Sequence, residues 1–333
     1  MNLYRGLPLE PSPVPTALAI GNFDGVHRGH QALIDALKAH AQPRGLNCAV
    51  MTFEPHPRSF FNPRTAPARI STLRDRLHAL ATHGVNTTFL LRFNAMLASM
   101  SPQQFIEELL VNTCKAKFIM VGEDFRFGAK RGGDVTLLKS LASRYGFTIV
   151  TLSDVKENDS RISSSLVRNA LIQGNMPLAA ELLGRPYAIS GHVSHGAKLG
   201  RTLNFPTLNV RLGFDNPAAR GIFAVRVHGL AALPLNGVAS LGLRPSIDAI
   251  TQKKQGRWLL ETHVLDWKDS AARSAYGKII CVELLKKLRD EEKYVDLSTL
   301  QLAISQDADN ARKFFNGMAI SSTDRIRVSN VAA

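Results

Sequence analysis

The chain has 333 residues, more than one hydrophobic core usually organises, so two domains of about 150 residues each are expected. Its 45% hydrophobic and 20% charged residues, 24 Gly and 16 Pro, with a mean hydropathy of −0.04, exclude a disordered, collagen-like or low-complexity chain. Lys and Arg number 41 against 27 Asp and Glu, a net charge of +14, which suits nucleic acid, a membrane surface or a phosphorylated small molecule as partner.

The charge splits evenly: residues 1–186 and 187–333 each carry +7. A single nucleic-acid-binding tail is therefore disfavoured. Cys48, Cys114 and Cys281 are odd in number and far apart, which signals neither a disulfide framework nor a paired-Cys zinc site and fits a reducing compartment. Residues 1–15 lack the apolar core of a signal peptide, and no apolar run approaches the roughly 20 residues of a membrane span. A cytoplasmic location without a membrane partner is expected. Nothing in the pattern speaks to oligomeric state.

From residue 16 to about 184, short apolar runs alternate with amphipathic stretches, the pattern of a doubly wound parallel sheet. Strands are expected at 17–20, 48–53, 88–92, 118–121 and 148–152, with helices at 30–41, 73–83, 102–113 and 135–145. Two more helices follow at 164–173 and 177–183, stopped by Gly184-Arg185-Pro186. Beyond Pro186, β-branched and alternating runs at 187–195, 221–227, 237–241, 258–265 and 278–284 are broken by Gly and Pro, which argues a small antiparallel β-barrel or sandwich. A closing helix is expected at 296–315, with Ser298 near its start. The domains are thus 1–186 and 187–315, with a polar tail at 316–333.

GNFDGVHRGH at 21–30 follows the first strand and feeds a helix. Gly21, Gly25 and Gly29 allow close backbone approach to a ligand, and His27 and His30 stand where a helix N-terminus points its free N–H groups at an anion. The spacing is neither the dinucleotide fingerprint nor a P-loop. Zinc is the other functional reading of the His pair, unsupported by Cys or by His-Glu-x-x-His spacing. The bland alternative is a helix start capped by Asp24 with two surface histidines. The preceding strand and the glycine spacing favour the phosphate reading.

With that turn the chain resembles the nucleotidylyltransferase superfamily. TFEPHPR at 52–58, GEDFRFG at 122–128 and RISSSLVR at 161–168 narrow the resemblance to the N-terminal half of the bacterial bifunctional riboflavin kinase/FAD synthetases. Each stretch alone reads as a rigid turn, core aromatics or a helix cap. The resemblance implies FMN adenylylation, in which the FMN phosphate attacks the α-phosphorus of ATP to give FAD and pyrophosphate. It implies that His27 and His30 stabilise the phosphates and that Gly21, Phe23, Asp24, Gly29, Ser163, Ser164 and Arg168 bind ATP. Pro55, His56, Pro57, Asp124, Phe125 and Arg126 would meet the flavin. Ser165 stands where the family usually shows Thr.

GHVSHGAKLGRTLNFPTLNV at 191–210 combines Gly196, Lys198, Gly200 and Arg201 in one loop. Ala197 between Gly196 and Lys198, and the lack of Ser or Thr after the lysine, disfavour a P-loop; a basic hairpin loop is the plain alternative. Thr207 and Asn209, two apart on one strand, share a face and present a hydroxyl and an amide oxygen suited to Mg²⁺ on ATP phosphates. Glu261 on a strand-like segment is ordinarily a solvated residue, yet phosphoryl transfer to a hydroxyl wants a carboxylate in reach. With GVASLGLRPS at 237–246 and Tyr276-Gly277-Lys278, these stretches resemble the riboflavin kinase module. The resemblance implies that Thr207 and Asn209 bind Mg-ATP, that the 196–201 loop covers its phosphates, and that Glu261 takes the proton of the riboflavin 5′-hydroxyl. Asn204, Ser240 and Ser246 replace a usual Gly, Asn and Thr, and the 268–275 connection is longer than common.

The function so implied is ATP-dependent conversion of riboflavin to FMN and of FMN to FAD, with Mg²⁺ as cofactor and small molecules as partners. Two alternatives stand beside it: an adenylyltransferase for another phosphorylated substrate with a degenerate barrel, and a basic nucleic-acid-binding protein that has lost the chemistry. The even charge split and the lack of clustered aromatics in basic stretches disfavour the last.

Overall fold

The computed structural model describes residues 1–6, 10–152, 156–157, 160–196, 203, 205–247, 254–267 and 274–318. Lys198, Gly200, Arg201 and Asn204, most of the 268–275 connection and the tail from residue 319 lie outside them. The chain forms two compact units, one of residues 1–67 and 76–163, the other of residues 68–75 and 164–333.

In the first unit, β1 (Asn2–Arg5), β2 (Thr16–Ile20), β3 (Asn47–Glu54), β4 (Thr87–Arg92), β5 (Ala116–Gly122) and β8 (Thr148–Leu152), the last preceded by the short pair β6 (Arg126–Phe127) and β7 (Gly133–Asp134), are joined by helices. The large sheet runs β1-β4-β3-β2-β5-β8, and every pairing in it is parallel. This is the expected doubly wound sheet. Its central strand β2 is buried at every position because both faces are covered. Leu18 and Ile20 join one apolar cluster with Phe105, Ile106 and Leu138. Ala17 and Ala19 join another with Ile34 and Leu37 of α1 (Arg28–Ala41) and Leu80. The direction of winding reverses between β2 and β5, the switch point where α/β sheets place ligands at the carboxyl ends of their strands.

The edge strand β1 departs from the expected layout. Four mostly exposed residues are too few to show a periodicity, and a short strand is a common way to finish a sheet edge. The remaining helices of this unit are α2 (Pro57–Phe61), α3 (Leu73–Thr82, whose first residues belong to the other unit), α4 (Ala95–Ser99), α5 (Pro102–Gln104) and α6 (Val135–Tyr145). The helix expected over 102–113 changes form after α5: residues Phe105–Thr113 take the wider π spacing, as the bond from Cys114 N to the Leu109 carbonyl at 2.8 Å shows. A short pair, β9 (Lys156–Glu157) and β10 (Ser160–Arg161), precedes the second unit.

The second unit holds α7 (Ser164–Ile172), α8 (Met176–Leu183) and a closed antiparallel barrel. Its strands are β11 (Ala188–Ser194), β12 (Leu208–Arg211), β13 (Gly221–His228), β14 (Leu235–Ile247), β15 (Lys254–Val264) and β16 (Ile279–Arg289), in the order β11-β12-β15-β14-β13-β16. A closing helix, α9 (Leu297–Gly317), starts where Asp296 accepts a bond from Thr299 N at 2.7 Å. Strand β13 reads GIFAVRVH without clean alternation because both its faces are covered. Ile222 and Ala224 pack with Ala308 and Ala311 of α9, while Phe223, Val225 and Val227 are fully buried on the other face.

Segment 68–75 belongs to this unit through backbone and side-chain bonds. Arg69 N donates to Asn216 O and Ala218 N to Arg69 O, both at 2.9 Å, and the Asp75 carboxylate accepts from Ser190 N at 3.1 Å. Burial holds the Asp75 pKa above the usual carboxylate value, against the bonds from Thr72 and Ser190.

Helix α9 is fastened to the end of β16 by Arg289, whose Nε and Nη2 donate to the two Asp307 oxygens at 2.8 and 2.6 Å. Breaking a fully buried pair costs about 3 to 5 kcal/mol. The Arg289 side chain keeps 25% of its surface in solvent, so Asp307→Ala is expected to lower stability by about 2 kcal/mol. A urea unfolding midpoint equal to that of the parent would contradict this.

Candidate functional site

The carboxyl end of β2 turns sharply into α1. Phe23, Gly25 and Val26 lie at φ 49°, 81° and 43°, a region costly for residues with a Cβ. Burial holds it: Phe23 and Val26 are packed into the α1 core. The Asn22 carbonyl accepts from Thr52 Oγ1 at 3.1 Å and from Arg76 Nη1 at 3.0 Å. Arg76 Nη1 also reaches the Phe53 carbonyl at 3.3 Å, and Nη2 pairs with Glu54 Oε2 at 2.5 Å. One guanidinium, 1% exposed, therefore gathers the ends of β2 and β3.

The helix-cap reading of Asp24 does not hold. Asp24 is buried, and His27 occupies the N-cap position with no side-chain cap bond. The His27 and His30 rings stack with centroids 3.7 Å apart and 21° between planes, and Phe23 lies 5.0 Å from His30. A Cβ on Gly21 would press on the Phe23 ring, and one on Gly29 would meet the Ile162 carbonyl at 3.0 Å and the His27 ring at 3.2 Å. Glycine at 29 thus lets the chain just before Ser163 close on the first turn of α1. Ser164 opens α7, and one turn later Arg168 Nε donates to the Ala68 carbonyl at 2.7 Å.

Pro55 follows a cis bond to Glu54. His56 is buried and caps α2, its Nδ1 accepting from Arg58 N at 3.1 Å, so the neutral ring carries its proton on Nε2. Pro57 and Arg58 then border a cavity of about 850 Å³, whose walls include Phe53, Phe61, Phe93, Phe105, Phe125 and Phe127. Phe125 and Phe127 stack at 5.5 Å, and Phe53, Phe60 and Phe61 meet Phe93 edge-on at 5.5 to 6.0 Å. Arg58, Arg126, Lys130 and Arg131 also line it, and no carboxylate does among the described residues. Asp124 stands beside this turn, its Oδ1 over Gly122. Aromatic walls with a cationic rim suit a flat aromatic ligand bearing a phosphate.

In the second unit, Asn209 on β12 lies directly across from Glu261 on β15, and Glu261 across from Ser240 on β14. Cross-strand partners share a face, here the face toward α9. Thr207, two residues before Asn209, borders the same cavity of about 300 Å³ as Glu261, Ser240, Arg244, His263 and Glu291, with Leu300 and Ile304 of α9 opposite. Asn209 is 5% exposed, and its Oδ1 has no hydrogen-bond partner among the described residues. A Cβ on Gly196 would land on that amide, so the start of the glycine loop lies against Asn209.

Arg244 Nε donates to Glu261 Oε2 at 2.6 Å, Nη1 to Glu291 Oε1 at 2.7 Å and Nη2 to Ser240 Oγ at 2.6 Å. Ser240 Oγ also donates to Glu291 Oε1 at 2.8 Å. Burial works against the Arg244 charge, yet the two carboxylates outweigh it and raise its pKa. His263 Nδ1 donates to the Pro206 carbonyl at 2.9 Å, and burial lowers its pKa. The thiols have no part in either site: burial raises Cys48 to about 11 and Cys281 to about 12 and pushes Cys114 up as well, so none supplies a thiolate at neutral pH.

Three residues of these sites escaped the sequence reading. Arg76 shares a face of α3 with Ala79 and Leu80, and a charge at an apolar position of a helix was the available signal. Arg244 sits four residues after Ser240 on a strand, hence on the same face. Glu291 follows β16 in a polar stretch and offered no signal.

A family model described as FAD synthetase matches residues 9–166 and one described as riboflavin kinase matches residues 183–315. The bifunctional riboflavin kinase/FMN adenylyltransferase of Escherichia coli (strain K12) is 44% identical over 317 residues, 95% of this chain and 98% of the relative. The protein of the same name from Haemophilus influenzae is 39% identical over 300 residues, 90% and 94% of the two chains. A crystal structure from Streptococcus pneumoniae described as a macrolide-efflux protein superimposes with a TM-score of 0.70 at 26% identity, covering 93% of this chain and 96% of that one. Among the described residues no helix is long and apolar enough to cross a membrane.

Replacing Arg76 by Leu removes the one guanidinium shared by the Glu54 carboxylate and the Asn22 and Phe53 carbonyls, leaving the Thr52 hydroxyl on Asn22. The expected loss is about 3 kcal/mol, read as a lower urea midpoint; a midpoint within error of the parent would show that the turn does not depend on Arg76.

Proposed function

The chain belongs to the family of bifunctional riboflavin kinase/FMN adenylyltransferases, and from that premise we propose how its residues divide two transferase reactions. Residues 187–315 phosphorylate riboflavin with ATP to give FMN. Residues 1–186 adenylylate FMN with a second ATP to give FAD and pyrophosphate. The polar tail at 316–333 is assigned to neither. The observation that carries the reading is that each unit holds its own phosphate-suited constellation: the stacked His27–His30 pair beside an aromatic, cation-rimmed cavity, and Asn209 in register with Glu261.

For FMN adenylylation no protein nucleophile is required, since the FMN phosphate oxygen attacks the α-phosphorus and pyrophosphate leaves. Positioning and charge stabilisation supply the rate. His27 and His30 take up charge on the phosphates at the α1 N-terminus, where Gly21, Phe23, Asp24 and Gly29 shape the turn. Ser163, Ser164 and Arg168 hold the pyrophosphate. The isoalloxazine lies in the aromatic cavity near Pro55, His56, Pro57, Asp124 and Phe125, with Arg126 toward its phosphate.

For riboflavin phosphorylation, Glu261 accepts the proton of the 5′-hydroxyl as its oxygen attacks the γ-phosphorus of ATP and ADP leaves. Thr207 and Asn209 fit Mg²⁺ because both offer hard oxygen atoms on one strand face, and the buried Asn209 Oδ1 has no protein partner among the described residues. Mg²⁺, when bound with ATP, offsets charge on the phosphate oxygens. Gly196 brings the backbone against the Asn209 amide; Lys198, Gly200 and Arg201, outside the described residues, are assigned to the phosphates from the family resemblance. The three free thiols accord with a cytoplasmic location.

The two sites are expected to fail separately. With pure protein, riboflavin, ATP and Mg²⁺, chromatographic separation of the flavins should show FMN but no FAD for His30→Ala. Glu261→Gln should form no FMN from riboflavin yet convert supplied FMN to FAD at the parent rate. Loss of both activities in either folded variant would overturn the division of labour.

A second expectation concerns the cationic rim. Arg126→Ala should raise the KM for FMN about tenfold, the cost of one charge-assisted contact, with the riboflavin kinase rate unchanged. An unaltered KM would remove Arg126 from the phosphate.

A further inference from the structure

We propose that Glu291 and Ser240 are positioning residues for riboflavin phosphorylation, acting through Arg244, which they hold in the one orientation that fixes the Glu261 carboxylate. The proposal rests on the reading of Glu261 as the base.

A carboxylate at the end of a glutamate side chain rotates over a broad range. Arg244 removes that freedom by donating Nε–H to Oε2 at 2.6 Å, which leaves Oε1 to take the hydroxyl proton. A guanidinium is a rigid planar fork, so its Nε direction is set once its two Nη groups are placed. Glu291 takes Nη1 at 2.7 Å and Ser240 takes Nη2 at 2.6 Å, and the Ser240 hydroxyl donates to Glu291 at 2.8 Å. Arg244, Glu291 and Ser240 form a closed ring of hydrogen bonds, and Glu261 is held to it through Arg244 Nε.

The backbone is built to admit Glu291. Gly242 stands between Ser240 and Arg244 on the same strand face, and a Cβ there would land on the Glu291 carboxylate. Glu291 comes from the loop after β16, two residues beyond the Arg289 that is clasped by Asp307. Side chains about one-third exposed, as Arg244, Glu261 and Glu291 are, contribute little to stability as ion pairs. The use of the ring is geometric: it fixes Glu261 in the wall of the cavity that Thr207 also lines, across from Asn209.

The test uses the full-length protein and initial rates of FMN formation. Glu291→Gln is expected to lower kcat for riboflavin about tenfold with the KM for ATP unchanged, and Arg244→Ala about 100-fold, the scale of a misplaced catalytic group. Because Glu291 acts through Arg244, the double variant should be no slower than Arg244→Ala alone. Guanidinium ion should restore part of the Arg244→Ala rate where sodium chloride at equal ionic strength does not, and should restore nothing once Glu261→Gln is added. If Arg244→Ala does not fold, as judged by circular dichroism and the urea unfolding midpoint, Arg244→Lys serves instead, since an ammonium cannot reach all three partners. Parent-like kcat for Glu291→Gln, or multiplicative losses in the double variant, overturns the proposal while an inactive Glu261→Gln leaves the base reading standing. A fully active Glu261→Gln overturns both.

Discussion

Three oxygen atoms from two neighbouring strand ends, the carbonyls of Asn22 and Phe53 and the carboxylate of Glu54, converge on the buried guanidinium of Arg76. The geometry of the first unit follows from this knot. Without Arg76 the Asn22 carbonyl would keep only the Thr52 hydroxyl as donor, and the left-handed backbone at Phe23 and Val26 would lose a buried anchor beside it. Those dihedral angles set the entry of α1, and the entry of α1 sets where His27 and His30 stack. A single cation buried for structural reasons thereby anchors the turn on which the two stacked imidazoles, proposed to meet phosphate, are mounted.

The second unit meets the same need differently. Its residues come from a closed barrel, where register does the positioning: Asn209, Glu261 and Ser240 face one another across three strands because antiparallel pairing leaves no other choice once the strands are in place. The first unit relies on a strained loop held by burial, the second on regular strands with a loop residue, Glu291, added. Under the proposed function each unit meets a small phosphorylated molecule, which accords with a net charge of +14 shared equally by the two halves of the sequence.

The sequence reading placed the parallel sheet, the barrel and the closing helix, because long apolar runs and turn residues signal them directly. Turn motifs with glycine at fixed spacing marked the phosphate-suited loops. What stayed hidden depends on contacts distant in sequence. Arg76 looks like an ordinary helix arginine until its three oxygen partners are known, and Glu291 acquires a role only because Gly242, some fifty residues earlier, leaves room for it. The edge strand β1 and the π-helical stretch at Phe105–Thr113 lack a periodic signature of their own; pairing and hydrogen bonding beyond the local window define them.

Segment 68–75 has a bearing on how the molecule is made. Its partner Ser190 lies 115 residues beyond Asp75, so at about 5 to 20 residues per second a ribosome needs about 6 to 23 s to deliver it. Residues 76–163 are made within that interval, ahead of Arg168, Ser190, Asn216 and Ala218, which bond to the segment. The segment's partners therefore arrive in turn, Arg168 of α7 first, then Ser190 of β11, and Asn216 and Ala218 beyond β12 last, so its docking is completed only when most of the barrel's first half has been made.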